Sequence, residues 1–457
     1  MEVTVVSLTI IGWIPVAASL FMFFKPIRAL TLAYLIGWLL LPVDSVAIHG
    51  FWDVDKVMAT NIGVLFGSLL FCPGRLTSLR LRAPEYILLA YAGGTLITSL
   101  SNDLGLYDGV SSFVQRLMHT AVPFCVGRAF VRNRSELMEI ARAVVYAASL
   151  YALLAIWEWR MSPQIHKTLY GYFQHSFAQH MRWGFYRPIV CFPHTLGLGA
   201  FLAWTTLLAI AMYRAGELRP LLIIPPQVLL GFLLLALLAC MSFGPWGLFL
   251  AGFGMYVYRK RQRWRWMLWV PLVLAFAWMA GRHSGVLDGA WMESAVKEIS
   301  ADRAKSLHAR IHSETVVLAH AAEHPLFGWG GFGRARVYDQ WGKEVVTDGL
   351  WIILLGMYGI AGLASFYLWW CWPIIMTRRA KASLAEDPVI FPILIAVGMQ
   401  AINLIFNGFL SPILTLLAGC AVTALYAERR ATARAAAAAQ AAYPDLTRQP
   451  RMQGAAG

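Results

Sequence analysis

Thirteen apolar runs divide this chain, each close to the ~20 residues a helix needs to cross a bilayer. They lie at about 4–24, 29–48, 57–72, 84–101, 109–127, 136–157, 189–212, 220–239, 241–258, 267–281, 349–376, 388–407 and 409–427. The third is short, the eighth and ninth are parted only by Met241-Ser242-Phe243-Gly244-Pro245, and the last two divide at Asn407-Gly408, so 12 to 14 spans fit. Backbone in lipid must satisfy its own polar groups, which leaves helices for runs of this length. The expected fold is therefore all-α: a polytopic membrane helix bundle of about 13 transmembrane helices. Only 14% of the chain is charged, against roughly 25% in soluble domains, which excludes a water-soluble enzyme, a disordered chain and a disulfide scaffold.

Charge placement sets the sidedness. Basic residues gather at 25–28, 75–82, 128–134, 214–219, 259–265, 378–381 and 429–434, which are alternate connections, and these clusters hold 21 of the 38 Lys and Arg. By the positive-inside rule the N-terminus lies outside and the C-terminus in the cytoplasm. The net charge of +14 thus reflects topology and gives no sign of nucleic acid. Two long connections then face the exterior, 158–188 and 281–348. The second carries Leu307, Ile311, Leu318 and Ala322 at helical spacing, which predicts a surface helix over about 302–323. Residues 1–427 form the transmembrane domain, and 428–457 an Ala-rich, low-complexity cytoplasmic tail.

On this map all eleven histidines, from His49 to His324, fall on the exterior side or in the outer half of a span. Arg116 lies within the fifth span with His119 on the same face, and ionisable groups at such depth face a cavity or a partner. Asp44 lies towards the outer end of the second span. The six cysteines sit in or beside apolar runs, with no metal-ligand spacing. Two segments concentrate polar chemistry. One is Arg182-Trp183-Gly184-Phe185-Tyr186-Arg187-Pro188 with His194 following. The other is Arg310, then His324-Pro325-Leu326-Phe327-Gly328-Trp329-Gly330-Gly331-Phe332-Gly333-Arg334, then Asp348-Gly349 opening the eleventh span. A Gly-rich loop beside arginines can offer backbone N–H groups and guanidinium forks to a phosphate.

These segments resemble the bacterial O-antigen ligase and O-antigen polymerase superfamily. The HPLFGWGGFG stretch is similar to that family's "NPLFGxGxG", and Leu350, Leu355, Gly359, Gly362 and Leu363 follow at the family's intervals. Arg310 ahead of the stretch, Arg182-x-Gly184-x-x-Arg187-Pro188 entering a span and Gly127-Arg128 closing one are similar too. In one departure, Asp348-Gly349 stands where the ligases have His-Asn, which favours a polymerase-like or divergent relative. The resemblance implies a glycosyltransferase of the inner membrane that moves glycans from an undecaprenyl-diphosphate carrier to a saccharide or lipid-linked acceptor. It implies no metal and no cofactor. Partners would be membrane lipid and other polysaccharide-assembly proteins. Arg187 and Arg310, with Arg182, Arg116 and Arg334, are the implied diphosphate ligands, and Asp348 or His194 the group that takes the acceptor's proton. Two further readings fit the same spans: a transporter or flippase of lipid-linked saccharides, and a non-catalytic component of an export machine. A carrier needs polar groups along several spans to the midplane, whereas here they gather at the outer end.

Overall fold

A computed structural model describes residues 4–48, 52–261, 263–299 and 301–442; His49, Gln262 and the tail beyond Ala442 lie outside them. The chain is mostly helical. In order come α1 (Val5–Phe23), α2 (Pro26–Leu39), α3 (Lys56–Phe71), α4 (Pro73–Leu76), α5 (Ala83–Ser101), and α6 (Leu106–Arg116), which passes through a π-helical turn, Leu117–Ala121, into α7 (Val122–Phe130). Next are α8 (Arg134–Arg160), α9 (Ile165–Tyr170), α10 (Thr195–Arg214), α11 (Pro226–Ala239), α12 (Phe243–Val257) and α13 (Trp264–His283). The chain ends through α14 (Ala290–Ile299), α15 (Ala301–Ala321), α16 (Leu350–Trp370), α17 (Trp372–Met376), α18 (Ile390–Phe406) and α19 (Pro412–Ala442). Sheet among the described residues amounts to two isolated bridges and two antiparallel pairs of two-residue strands, Ser45–Val46 with Val54–Asp55 and Met181–Arg182 with Phe185–Tyr186. Among the described residues five helices are long and apolar enough to cross a membrane: α1, α8, α10, α13 and α16. Four more, α2, α3, α11 and α18, are apolar but shorter.

Each apolar run contains a helix, and side-chain caps fix several of the starts. Thr4, Asp55, Asn133 and His194 accept N–H groups from the first turns of α1, α3, α8 and α10. Several runs differ from their expected extents; the eighth is helical only from Pro226, and the helix of the last continues to Ala442. The second leaves the helix at Leu39 and passes into the strand Ser45–Val46. The seventh is helical only from Thr195: between Pro188 and Pro193 the chain makes a tight turn, with Val190 at a φ of 48° and Phe192 N donating to Ile189 O at 2.9 Å. Its freed N–H groups go to α8: Ile189 and Val190 each donate to Glu158 at 2.8 Å, and Cys191 to the Tyr151 hydroxyl at 2.9 Å. The surface helix expected over 302–323 is α15. A second helix, α14, precedes it, with Met292, Ala295, Val296 and Ile299 at helical spacing that the sequence reading did not single out.

Close packing follows the small residues. Gly63 and Gly67 lie four apart on α3, and a Cβ at either would meet the backbone of α1, at Ile14 O and Ala18 O respectively, 2.7 Å away in both cases. That is the small-xxx-small way of bringing helices together. Gly127 of α7 and Gly419 of α19 abut each other's backbones in the same way. At the centre, 89% of the most apolar window of α10 is buried. The periphery is α1 and α13, where Phe23 and Trp266 are 71% and 74% exposed. Broad apolar faces of this kind mark an interaction with something other than water.

The connections sort into two sets by what they touch. The basic ones are tied to one another: Arg28 to Glu139, Arg75 to Glu136, Arg132 to Gly74 O, Arg134 to Asp387, Arg142 to Glu217, Arg265 to Ala380 O and Arg429 to Met376 O. The histidine-bearing connections are joined separately. His166 accepts from Val43 N at 3.1 Å, Lys56 donates to Cys191 O at 2.7 Å, and Arg187 to the Ser242 hydroxyl at 2.6 Å.

Candidate functional site

The site is assembled by α15, the start of α16, the loop ahead of α10, and the break between α18 and α19. Arg310 sits on α15, and its Nε lies 3.2 Å from the Asp348 carboxylate. Glu314, one turn further along α15, pairs elsewhere. It is buried and takes the Arg282 guanidinium at 3.0 Å and the Trp351 indole N–H at 2.9 Å. That buried pair pins α15 between α13 and α16, and so fixes where Arg310 can reach. Asp348 does not cap the helix it precedes. Gly349 is the cap of α16, without a side-chain bond, so the Asp348 carboxylate is free of helix duty and faces the arginine. The two side chains keep 37% and 46% of their exposure. An ion pair in that setting adds only about 0–1 kcal/mol to folding, so a ligand can part it at small cost.

His194 joins this pair from the other loop. Its ring stacks on Phe409 at 5.8 Å and 18°, while the neighbouring Gly408 packs under the Asp348 carbonyl. Asp348 and His194 therefore flank two consecutive residues of the α18–α19 break. His175 packs edge-on against His194 at 4.7 Å and against His180 at 5.3 Å. Burial pushes His194 down to about 3, reinforced by His175, Arg187, His180 and Arg310. Burial pushes His180 down to about 4. Both rings are neutral at pH 7. His194 Nδ1 accepts the Leu196 N–H at 2.9 Å, which leaves its proton on Nε2. In that tautomer His194 is a hydrogen-bond donor and not a base, whereas the Asp348 carboxylate beside Arg310 can accept a proton.

The arginines of the first loop are differently placed. Arg187 is buried, and donates to Ser242 Oγ at 2.6 Å and to the Cys240 and Gln179 carbonyls at 3.3 Å. Its charge acts on His194 and His180, while its N–H groups tie the loop to the α11–α12 connection. Arg182 does the same through the Met241 carbonyl at 2.8 Å.

The Gly-rich stretch does not form an open phosphate cradle along its first half. Helix α16 is broken at Gly359, whose φ of 62° only glycine adopts readily. The stretch docks into the break. Trp329 and Gly330 donate to Gly356 O and Met357 O, both at 2.9 Å, and Ile360 and Ala361 donate back to Pro325 O and Leu326 O at 2.8 and 3.1 Å. Gly328 and Gly359 lie at the crossing, where a Cβ on either would enter the opposite backbone. The Thr98 hydroxyl and the Asn102 amide of α5 hold the stretch from the other side, on Phe327 O and Gly328 O at 2.7 and 2.9 Å. Non-helical backbone is tolerated within a bundle when its groups are satisfied in this way. Arg334 closes the joint on Asp108 at 2.6 Å.

Arg116 and Arg334 thus belong to the α5–α6 side, and the Arg310–Asp348 pair to another contact. Arg116 ends α6 at the π turn, 5.7 Å over the Tyr358 ring, and His119 in that turn binds Asp55 at 2.9 Å. π turns are frequent at functional positions. Asp44 bonds its neighbour Ser45 N at 2.8 Å. Sequence reasoning did not single out His175, Phe409 or Lys56. Lys56 is buried at the start of α3 under the carbonyls of Trp38, Leu41 and Cys191; a lone lysine beside an apolar run was its one signal. The sequence matches no protein-family model and no curated protein.

Proposed function

We propose that the chain is a membrane glycosyltransferase that moves glycans from an undecaprenyl-diphosphate carrier at the outer face of the inner membrane, as a polymerase or ligase of surface polysaccharide. In this reading about 13 helices span the membrane, the N-terminus is outside and the basic end cytoplasmic. The observation that carries it is the Arg310–Asp348 pair beside His194: a fork for the diphosphate, a carboxylate and a neutral N–H donor, contributed by α15 and the segments ahead of α16 and α10, with the ion pair still open to solvent. The acceptor hydroxyl oxygen attacks the anomeric carbon of the donor. The bond from that carbon to the diphosphate oxygen breaks, and its electron pair leaves on the lipid diphosphate. Arg310 and the His194 Nε2–H meet the growing charge, and the hydroxyl proton passes to Asp348, released from Arg310 as the diphosphate arrives. The Arg187 charge behind His194 adds to the field without direct contact. Purified protein given undecaprenyl-diphosphate oligosaccharide is expected to produce longer lipid-linked glycans, and Arg310→Ala to slow this ~10²-fold or more. No elongation by the unaltered protein, or an undiminished rate in Arg310→Ala, overturns the proposal.

A further inference from the structure

A cavity of about 380 Å³ opens at the basic end, far along the helices from His194 and Asp348. It lies between the α7–α8 connection, the α17–α18 connection and α19, and its floor is apolar, with Leu137 and Ile390 among the lining side chains. Its rim carries Arg132, Arg134 and Lys381. The two carboxylates on its wall are already occupied. Asp387 takes Arg134 and the N–H groups of Val389 and Ile390, and Glu428 takes the Lys381 backbone N–H at 3.0 Å. Among the described residues the Lys381 ammonium has no ion-pair partner, and the Arg132 guanidinium gives one N–H to Gly74 O at 2.9 Å and forms no ion pair, its charge acting on Glu136, which Arg75 already holds. Helix α8, one of the five long apolar helices, starts at this rim with its N-terminal dipole facing the space.

We infer that this cavity binds the phosphate headgroup of an anionic glycerophospholipid, with Arg132 and Lys381 on the phosphate and the glycerol and first acyl carbons on the Leu137–Ile390 floor. Three features favour a lipid over a soluble phosphate. Two cations form no ion pair among the described residues, the floor is apolar, and the opening lies at the end of a helix long enough to span a bilayer. Basic pockets between helices at the cytoplasmic side suit such headgroups. The volume falls in the ~300–1,000 Å³ range of ligand sites. The inference rests on the helices standing in a membrane and is independent of glycan transfer.

The test is native mass spectrometry of the full chain in detergent, titrated with dioleoyl-phosphatidylglycerol, dioleoyl-phosphatidylcholine and glycerol 3-phosphate. Phosphatidylglycerol should bind at least tenfold more tightly than phosphatidylcholine. The double substitution Arg132→Gln with Lys381→Gln should weaken it roughly thirtyfold, as the loss of two headgroup cations implies. Both residues are exposed, so the lipid-free melting temperature of the double variant should match that of the parent. Equal binding of the two lipids, or undiminished phosphatidylglycerol binding in a variant that melts normally, overturns the inference. Glycerol 3-phosphate binding as tightly as the lipid would make this a soluble-phosphate site and overturn it equally.

Discussion

Asp348 can be tested without disturbing the fold, because Gly349 caps α16 in its place. Asp348→Asn keeps the shape and gives Arg310 an amide oxygen, so its melting temperature should shift by no more than the ~1 kcal/mol of an exposed ion pair. Transfer should fall ~10²-fold or more, because an amide accepts no proton. A parental elongation rate in that variant would show the carboxylate to be an Arg310 partner and nothing more. The histidines give a second handle. His180 is neutral in the fold because burial lowers its proton affinity to about 4, below the ~6.5 of the unfolded chain. The unfolded chain therefore binds more protons between these values, and stability declines as pH falls from ~6.5 towards 4. Thermal melts across that window should show the decline, and His180→Gln should make it shallower, with His194 still contributing. Little of this site was legible beforehand. Arg310 and Asp348 were named singly, but nothing in their spacing of 38 positions says that they touch. His175 and Phe409 meet His194 only through tertiary folding.

At the scale of elements, the joint in α16 decides most. An isolated glycine in an apolar run reads as a tolerated gap in a helix; Gly359 is instead a break that accepts another segment's backbone. The sequence pattern contained both halves, HPLFGWGGFG and the later Leu and Gly positions, without indicating that they bond to each other. The outcome inverts the expected role of the Gly-rich stretch, since N–H groups meant for a phosphate serve α16. Gly359→Ala would impose ~1–2 kcal/mol for the left-handed backbone, with a collision against Leu326 and Phe327 besides. Gly328→Ala meets Met357 and Tyr358 in the same way. Each should lower the melting temperature by several degrees or abolish expression, whereas Gly342→Ala, with positive φ but open space around it, should cost only the backbone term. Equal melting temperatures for all three would contradict the joint. Helix starts were more legible: α3 and α8 begin within two residues of their expected runs, although the Asp55 and Asn133 caps that fix them were not singled out in the sequence.

Over the whole molecule, the segregation of the basic connections from the histidine-bearing ones was the most legible feature, since charge placement is written directly in the sequence. The helix count was less so: apolar runs reveal where helices form, while lengths such as the 14 residues of α2 and α11 depend on turns and prolines. In a chain whose six native cysteines are replaced, a membrane-impermeant maleimide should label Ser284→Cys in intact spheroplasts and spare Lys260→Cys. The reverse pattern would turn the molecule over. The burial of α10 also has a consequence in time. Its faces pack on α8, α11 and α12, made close to it, and on α18, whose first residue is synthesised 176 positions after the last of α10. Until α18 arrives, the Ala203, Trp204 and Leu207 side of this helix has an unfinished wall, and a ribosome stalled within the α14–α15 segment leaves a bundle without its keystone. Assembly is therefore sealed by nearly the last hydrophobic segment to emerge, and quality control that samples nascent chains would meet an open molecule for most of its synthesis.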